Sequence, residues 1–499
     1  MLFNSYIFLF GFLPAALLLF YALRRFGLRD ASVSSLMIAS VAFYAYWRPG
    51  DTYILLATII VNYFTARYLT RLPPRASVLL LAAGISANLG LLVYFKYFDF
   101  IATNVAAVGG FTYAARHIVM PIGISFFTFT QLAYLVDCYH SRTYEANLRT
   151  YALFVTIFPH LIAGPIIHHA QMRSQFERLR REPVDTHFIT MGVVVFVLGF
   201  AKKVLLADNL VVPANLVFNA ADHGAMLSTP GAWIGTIAYT LQIYFDFSGY
   251  SDMAIGLALL FGLRLPVNFN SPYKSTSIID FWRRWHITLS SWLRDYLYIP
   301  LGGNRGGEFA RLKNVFITFL LGGIWHGAGW TFVVWGALHG AYVVVNHLMI
   351  KFWPATAVPP AAQSPLLRAG KRVSVMLLVM LAWVFFRATT MHGAVSLIKS
   401  MCLAPPAGAH FDDMDAGVYF WIVLGAAIAL IAPSTQELTN YSAKFTESLR
   451  LPEVSLFQSL RSGRLALSAS PAVALLGGAL FAAALACIWR PAIFIYFNF

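Results

Sequence analysis

The sequence predicts an all-α integral membrane protein that crosses the bilayer many times. Hydrophobic residues make up 59% of the 499-residue chain, and only 11% of its residues are charged. Soluble domains carry about 25% charged residues, so a soluble fold is excluded. Apolar runs of about 18 to 22 residues recur along the chain, and about 20 residues suffice for a helix to cross the hydrocarbon core.

The apolar runs are continuous and do not alternate with polar residues, as segments 53–69 and 374–386 show. This pattern is typical of transmembrane helices and excludes a membrane β-barrel. We expect about 11 to 13 spans, at roughly 5–23, 31–47, 52–70, 77–95, 118–137, 188–206, 231–247, 250–263, 314–332, 333–350, 373–388, 417–433 and 472–489.

The net charge of +15 lies in short loops between the apolar runs. Such a distribution indicates membrane topology and contact with anionic lipids, and no nucleic-acid partner is expected. The first apolar segment lacks a cleavage signal and is expected to remain as a span. Basic residues follow the first and third spans, which predicts cytoplasmic ends there and an external N-terminus: Arg24, Arg25, Arg29, Arg67, Arg71 and Arg75.

Two segments do not fit simple crossings. Segment 151–167 contains Pro159 and Pro165 and is flanked by basic residues, which predicts a re-entrant loop. His160 in this segment and the adjacent His168 and His169 are expected to line the same cavity as the catalytic centre. Segment 277–300 is aromatic but carries several charges, so we expect helices on the cytoplasmic side that line an internal chamber.

His326 is the strongest catalytic candidate because it lies in an apolar, glycine-rich run. If the span begins near Asn314, His326 lies about 18 Å along the helix axis, close to the middle of the membrane. Intramembrane ionisable residues are functional candidates by default. Nearby glycines would allow another helix or a substrate to approach closely. The alternative is a neutral histidine that donates a hydrogen bond to a neighbouring helix.

His286 is the second candidate and lies in a segment where aromatic and charged residues alternate at helical spacing. Such a surface is suited to an anionic ligand with a flat ring, through arginine contacts and stacking. The alternative is an amphipathic helix anchored at the membrane interface. The candidate lining residues around it and around His326 are Trp282, Arg283, Trp285, Arg294, Asp295, Asn304 and Trp325.

Together these motifs resemble the membrane-bound O-acyltransferase family. The resemblance rests on FNSYIFLF at 3–10, the long motif at 280–305, WHG at 325–327 and WVFFRA at 383–388, and it extends over essentially the whole chain. The bacterial branch that acetylates alginate is the most similar. The resemblance implies one membrane domain over 1–499 with a central funnel, made of N-terminal spans (1–150), a catalytic core (151–350) and C-terminal spans with a tyrosine tail (351–499).

The resemblance also implies a reaction. His326 and His286 match the two family histidines, and an acetyl group would pass from a cytoplasmic donor, acetyl-CoA or another thioester, to periplasmic SGNH-type partners that acetylate an exopolysaccharide. No tightly bound cofactor or metal is expected, and the location would be the bacterial inner membrane. We expect His326 to act as the general base and His286 to position the donor.

The C-terminal sequence FIYFNF resembles the tail of a small protein that serves D-alanylation of teichoic acid. This resemblance makes Tyr496 a candidate acyl carrier, since an activated phenol can accept an acyl group and release it again. The alternative is an aromatic anchor at the membrane interface.

Other functions remain open at this stage. The same core would serve D-alanyl transfer or acylation of a lipid or a protein. A polysaccharide transporter would also have many spans and buried polar groups, but no matching pair of interrupted segments indicates the internal repeats of transporters.

Overall fold

The computed structural model describes residues 1–225, 227–353, 363–403, 415–442, 467, 470–488 and 494–495. Within these ranges the chain forms helices and no β-strand, which confirms the all-α prediction. The α-helices are α1 (Leu13–Arg25), α2 (Arg29–Ala45), α3 (Pro49–Leu69), α4 (Pro74–Leu92), α5 (Phe98–Gly109), α6 (Ile124–Ser141), α7 (Leu148–Thr156), α8 (Phe158–Leu161), α9 (His169–Arg181), α10 (Thr186–Ala201), α11 (Asp208–Asp222), α12 (Thr229–Leu260), α13 (Ile278–Trp282), α14 (Ile287–Leu293), α15 (Gly307–His326), α16 (Trp330–Phe352), α17 (Pro365–Arg387), α18 (Met391–Cys402), α19 (Ala416–Leu430), α20 (Thr435–Thr439) and α21 (Pro471–Ala486).

Short π-helical segments and one 3₁₀ turn lie between or next to several of these helices. Each π-helical stretch leads into or extends an α-helix, and π-turns of this kind are frequent at functional sites. The π-helical segments are Ile7–Phe12, Val93–Tyr97, Lys202–Ala207 and Arg294–Tyr298, and a 3₁₀ turn covers Pro272–Lys274.

The described helices confirm a multi-pass membrane protein. Five helical stretches are long and apolar enough to cross a bilayer: Ile7–Arg25, Pro74–Gly109, Thr186–Asp222, Trp330–Phe352 and Pro365–Arg387. Two shorter apolar helices, α19 and α21, add to this set. The expected number of 11 to 13 spans stays a prediction.

The chain divides into two compact units that interleave along the sequence. The first unit contains Met1–Phe200, Tyr250–Val267 and Thr439–Ala479, and the second contains Ala201–Gly249, Asn268–Leu438 and Leu480–Phe499. All residues around His326 and His286 belong to the second unit. The division of the chain at 150 and 350 stays a prediction.

One predicted boundary between spans was wrong. The sequence predicts two helices at 231–247 and 250–263, whereas the structure has the single 32-residue helix α12. The polar residues near the predicted boundary, Asp246, Ser248 and Asp252, are each exposed by no more than 2%. Because protein surrounds these side chains, the helix continues through them.

A second predicted helix end was also wrong. The span predicted at 188–206 does not end there, because α10 continues through the π-helical segment into α11, which ends at Asp222. Lys203 is only 3% exposed and forms ion pairs with buried carboxylates. A lysine that is paired inside the protein does not need to mark the membrane surface.

Segment 151–167 has the interrupted course that its prolines predict. Helix α7 ends at Thr156, α8 occupies one short turn, and the backbone is non-helical until α9 begins at His169. The segment is buried, and His160 in α8 has no exposed surface. Broken backbone can be kept at membrane depth when protein surrounds it. The interrupted course is therefore compatible with a re-entrant loop, which stays a prediction.

Candidate active site

His326 is the last residue of α15. The predicted span 314–332 was wrong at this point, because the helix begins at Gly307 and the backbone becomes extended at Gly327 and Gly329 before α16. A Cβ atom on Gly327 would lie 2.1 Å from Cε2 of Phe332, so no larger residue fits without movement. The sharp change of direction therefore places His326 at the end of α15 rather than inside a longer helix.

Glycines bring α15 and α16 into close contact next to His326. A Cβ atom on Gly323 would lie 2.5 Å from the carbonyl oxygen of Phe332 and 2.7 Å from Cα of Gly336. Such backbone proximity requires residues without side chains, as at other close helix crossings in membranes. The crossing sets the distance between His326 and the side chains of α16.

Aromatic rings surround the His326 imidazole. Its centroid lies 4.9 Å from that of Trp325, 5.0 Å from Trp335 and 5.1 Å from Phe386. The rings of Trp335 and Phe386 are steeply inclined to it, at 86° and 71°, which is a favourable edge-to-face geometry. His326 is 5% exposed. The aromatic walls therefore fix the orientation of the imidazole and exclude bulk water from most of its surface.

A cavity of about 180 Å³ reaches His326. Its walls come mainly from α14, α15 and α16, and most of the side chains are apolar. The polar side chains in this lining include Ser290, Arg294, Tyr298 and Thr318. The lining residues are Trp282, Leu289, Ser290, Leu293, Arg294, Tyr298, Val315, Thr318, Phe319, Gly322, His326, Trp335 and Val343.

The most exposed part of the cavity lining lies at the π-helical segment after α14. The Arg294 side chain is 61% exposed, and its Nε and Nη2 donate to Asp295 at 2.7 and 3.0 Å. The hydrogen bond to Asp295 raises the pKa of Arg294, so the guanidinium stays charged. The Tyr298 hydroxyl donates to Oδ1 of Asn304 at 2.6 Å. Sequence reasoning named Arg294, Asp295 and Asn304, and the structure brings them together here.

His286 lies at the start of α14 and is fully buried. Its φ of 42° is in the left-handed region, Nδ1 is 3.0 Å from Oδ1 of Asn268, and the Phe247 ring lies edge-on at 4.7 Å. Burial lowers the pKa of His286 to about 3, so the imidazole is neutral at pH 7. The cavity lining includes Leu289 and Ser290 of the same helix but not His286, whose assigned role stays a prediction.

The other predicted residues of this motif have different positions. Trp282 lines the cavity, and its Nε1 donates to Nδ1 of His339 at 3.2 Å. Trp285 is 1% exposed and packs against Trp383 with centroids 4.9 Å apart, so it packs in the protein core and does not line the cavity. Arg283 is exposed and is not among the residues that line the cavity.

Sequence reasoning missed a buried cluster of three charged residues. Lys203 Nζ lies 2.6 Å from Oδ1 of Asp208 and 2.7 Å from Oδ1 of Asp246, and all three side chains are at most 3% exposed. The signal was present in the sequence, because charged residues within apolar runs are rare and functional. Only the tertiary structure shows that Asp246 joins the two residues of the earlier helix.

Tyr496 lies outside the described residues. The two residues before it are described and are buried, with Phe494 1% and Ile495 6% exposed. The backbone N–H of Ile495 donates to Oδ2 of Asp246 at 2.8 Å. The Phe494 ring lies 5.9 Å from that of Phe247, the same ring that contacts His286.

The first unit has a larger, polar cavity of about 780 Å³. His169 lines this cavity and not the one at His326, so the expectation of a shared cavity was wrong for this histidine. Its Nε2 lies 3.4 Å from Oε2 of Glu145, and Nε of Arg173 lies 3.8 Å from the same oxygen. The chain reverses between α6 and α7 here, which brings Glu145 to the start of α9.

Known proteins are similar to this chain in sequence. A family model described as MBOAT, the membrane-bound O-acyltransferase family, matches residues 123–386. The chain is 40% identical over 432 residues to a peptidoglycan O-acetyltransferase of Helicobacter pylori, covering 80% of each chain. It is 42% identical over 411 residues to the probable alginate O-acetylase AlgI of Pseudomonas aeruginosa, covering 80% of this chain and 75% of that protein.

A more distant relative carries a different acyl group in its name. A teichoic acid D-alanyltransferase of Streptococcus thermophilus is 26% identical over 244 residues, covering 46% of this chain and 57% of that protein. The family match includes both His286 and His326, together with the cavity between α14, α15 and α16. The chain therefore belongs to the membrane-bound O-acyltransferase family and is a membrane acyltransferase.

Proposed function

We propose that this enzyme takes an acetyl group from a cytoplasmic thioester, acetyl-CoA, and delivers it for O-acetylation of a polysaccharide outside the inner membrane, such as alginate. The single observation that carries the proposal is the apolar cavity whose lining includes His326, Arg294 and Tyr298. The two relatives that are 40% and 42% identical to this chain are named as O-acetylating enzymes. The acceptor named for them differs, so peptidoglycan is the second candidate glycan.

The lining chemistry suits a coenzyme A thioester. The exposed Arg294 guanidinium offers several N–H donors to a phosphate, and such charge-assisted contacts are strong. Beyond it, Leu289, Leu293 and Phe319 provide an apolar wall for the uncharged arm of the donor. The thioester would then meet His326 in a site that is largely closed to water, which limits hydrolysis.

The transfer needs one base and a route for one proton. His326 accepts the proton of the acceptor hydroxyl while the hydroxyl oxygen attacks the thioester carbonyl carbon. The C–S bond breaks, and the thiolate takes up the proton from the imidazolium, so that an ester and a free thiol are the products. An imidazole held between Trp325, Trp335 and Phe386 has a fixed direction for this exchange.

The lining favours acetyl over D-alanyl. A D-alanyl group carries an ammonium, and a buried charge without a partner is costly. Among the described residues that line the cavity at His326 there is no aspartate or glutamate to pair with such an ammonium. An acetyl methyl group, by contrast, is compatible with Val315, Trp335 and Val343.

The acetyl group then has to leave the membrane enzyme. We propose Tyr496 as the first acceptor hydroxyl and a periplasmic SGNH-type protein as the partner that receives the acetyl group from it. The support is the placement of Phe494 and Ile495, which bury the start of the tail near Phe247 and His286. An external N-terminus, as the arginine distribution predicts, would give the protein the orientation that this route needs.

Purified protein in lipid nanodiscs, incubated with acetyl-CoA labelled in the acetyl group, tests the donor and the carrier together. We expect label on the protein, located to Tyr496 by mass spectrometry and absent in Tyr496→Phe. D-alanyl thioesters of a carrier protein should give no adduct. Free thiol release without any labelled protein or acceptor, or equal labelling of Tyr496→Phe, would contradict the carrier; labelling from the D-alanyl donor alone would contradict the acetyl assignment.

A further inference from the structure

We propose that Asp246, held in place by Lys203, is a positioning residue that fixes the C-terminal tail of the chain through the backbone N–H of Ile495. We call Lys203, Asp208 and Asp246 the charged triad. The fixation of the tail follows from described contacts alone, and its consequence for acyl transfer rests on the proposed role of Tyr496.

The two carboxylate oxygens of Asp246 have different partners. Oδ1 lies 2.7 Å from Nζ of Lys203, and Oδ2 accepts the N–H of Ile495 at 2.8 Å. A carboxylate that is already held on one side presents its second oxygen in a fixed direction. Hydrogen bonds to charged groups are stronger than those between neutral groups. This contact therefore stabilises the position of Ile495.

The hydrogen bond from the Ile495 N–H to Asp246 depends on the position of residue 495 in the chain and not on the type of its side chain. The Asp246 carboxylate would accept the N–H of any residue at position 495 except proline, since proline has no N–H. Ring packing adds direction, because Phe494 lies against Phe247, the residue next to Asp246 in α12. The two contacts on adjacent residues of one helix define both the place and the orientation of residues 494 and 495.

The charged triad joins two helices inside the protein. Lys203 and Asp208 are five residues apart in the continuous helix Thr186–Asp222, and Asp246 comes from α12. A buried carboxylate without a cation would be expelled or neutralised. Because Asp208 also contacts Lys203, the ammonium retains one carboxylate partner when Asp246 is replaced.

The position of the fixed tail connects it with the candidate active site. Phe247 contacts Phe494 on one side and lies edge-on to His286 on the other, with centroid distances of 5.9 and 4.7 Å. Tyr496 follows Ile495 directly in the chain. The contact with Asp246 therefore decides where the chain enters the segment that carries the proposed acyl acceptor, and Asp246 acts through the tail rather than on the donor.

Hydrogen exchange of the C-terminal peptide in nanodiscs tests the fixation itself. A buried amide that donates to a carboxylate is protected from exchange. We expect exchange in the peptide containing residue 495 to be at least tenfold faster in Asp246→Ala than in the wild type. The Ile495→Val variant keeps the N–H and should exchange like the wild type. Unchanged exchange in folded Asp246→Ala would overturn the proposal.

A double-mutant cycle tests the consequence for transfer. Ile495→Pro removes the N–H and leaves the triad intact, so it remains informative if Asp246→Ala folds poorly. We expect acetyl occupancy of Tyr496 to fall about tenfold in each single variant and no further in the double variant, with the KM for acetyl-CoA unchanged. Multiplying losses, or full occupancy in Ile495→Pro, would overturn the positioning role.

The two measurements separate the present inference from the proposed carrier function. If the wild type shows no acetyl group on Tyr496, the carrier assignment fails, whereas the exchange rates still decide whether Asp246 holds the tail. If Tyr496 is acetylated but exchange is insensitive to Asp246, the carrier assignment stands and the tail is positioned by other contacts.

Discussion

Two cavities, each with a histidine in its wall, differ in almost every chemical property. The cavity of the first unit has a volume of about 780 Å³, and His169 there faces Glu145 and Arg173. The cavity at His326 has a volume of about 180 Å³ and is lined mainly by apolar and aromatic side chains. By volume alone, the cavity of the first unit would be the candidate active site. The chemistry of the lining residues instead favours the cavity at His326.

The difference shows what a base for acyl transfer requires. A general base must be within reach of the proton that it takes. His169 is engaged with a carboxylate, since its Nε2 lies 3.4 Å from Oε2 of Glu145. His326 instead contacts the rings of Trp325, Trp335 and Phe386, and its side chain lines the cavity in which donor and acceptor would meet.

Replacing the two histidines gives the largest expected contrast. His326→Ala should lower acetyl transfer by about 10²- to 10⁴-fold, the usual contribution of a general base. His169→Ala should change transfer by less than about threefold per folded molecule, because the polar cavity has no proposed part in the reaction. Transfer of labelled acetyl groups, normalised to folded protein, measures both, and equal losses would break the comparison.

Filling the smaller cavity should have the next largest effect. A Cβ atom on Gly322 would lie 3.3 Å from Cδ1 of Leu293, so the extra methyl groups in Gly322→Val would occupy the cavity. Overpacking of a filled core costs about 1 to 3 kcal/mol, and a cost of this size on donor binding would lower the affinity about 5- to 150-fold. Titration with a non-hydrolysable acetyl-CoA analogue measures the change. Gly370→Ala in α17, with no atom within 4 Å, is the matched control.

Removing the exposed cation should have a smaller effect that depends on salt. Arg294→Ala should raise the KM for acetyl-CoA about fivefold at low ionic strength, with little change in kcat, because an exposed charge contact contributes about 1 kcal/mol. The difference should shrink in 0.5 M salt, where screening is strong. Steady-state kinetics at two salt concentrations checks this, and a fall in kcat alone would remove Arg294 from donor binding.

The smallest expected effect concerns stability and not transfer. Burial acts to raise the pKa of Glu145, but hydrogen bonds from His169 and from the Asn147 N–H, together with Arg173, hold the pKa below its ordinary value. The lowered pKa stabilises the fold above about pH 4.5, and this stabilisation is lost as pH falls through the folded-state pKa. Glu145→Gln should therefore reduce the slope of Tm against pH below 4.5. An unchanged slope would show that Glu145 does not contribute.

The sequence by itself determined the class of the fold and indicated the strongest catalytic candidate. Continuous apolar runs exclude a soluble protein, and the absence of alternation between polar and apolar residues excludes a barrel. Four motifs together indicated the family, and Trp282 and Arg294, which were named as lining residues, do line the cavity. Composition and local pattern carry this information because the membrane acts on every residue of a span.

Only the tertiary structure decided where helices end and which charges meet. Lys203 lies near the end of one predicted span and Asp246 near the end of another. Only the structure shows that the two residues form a buried ion pair. His326 moved from the middle of a predicted span to the end of α15, because the close contact of Gly323 with Gly336 and the extended Gly327 are properties of two helices together. Pairing and backbone approach depend on residues far apart in the chain, so no local pattern could specify them.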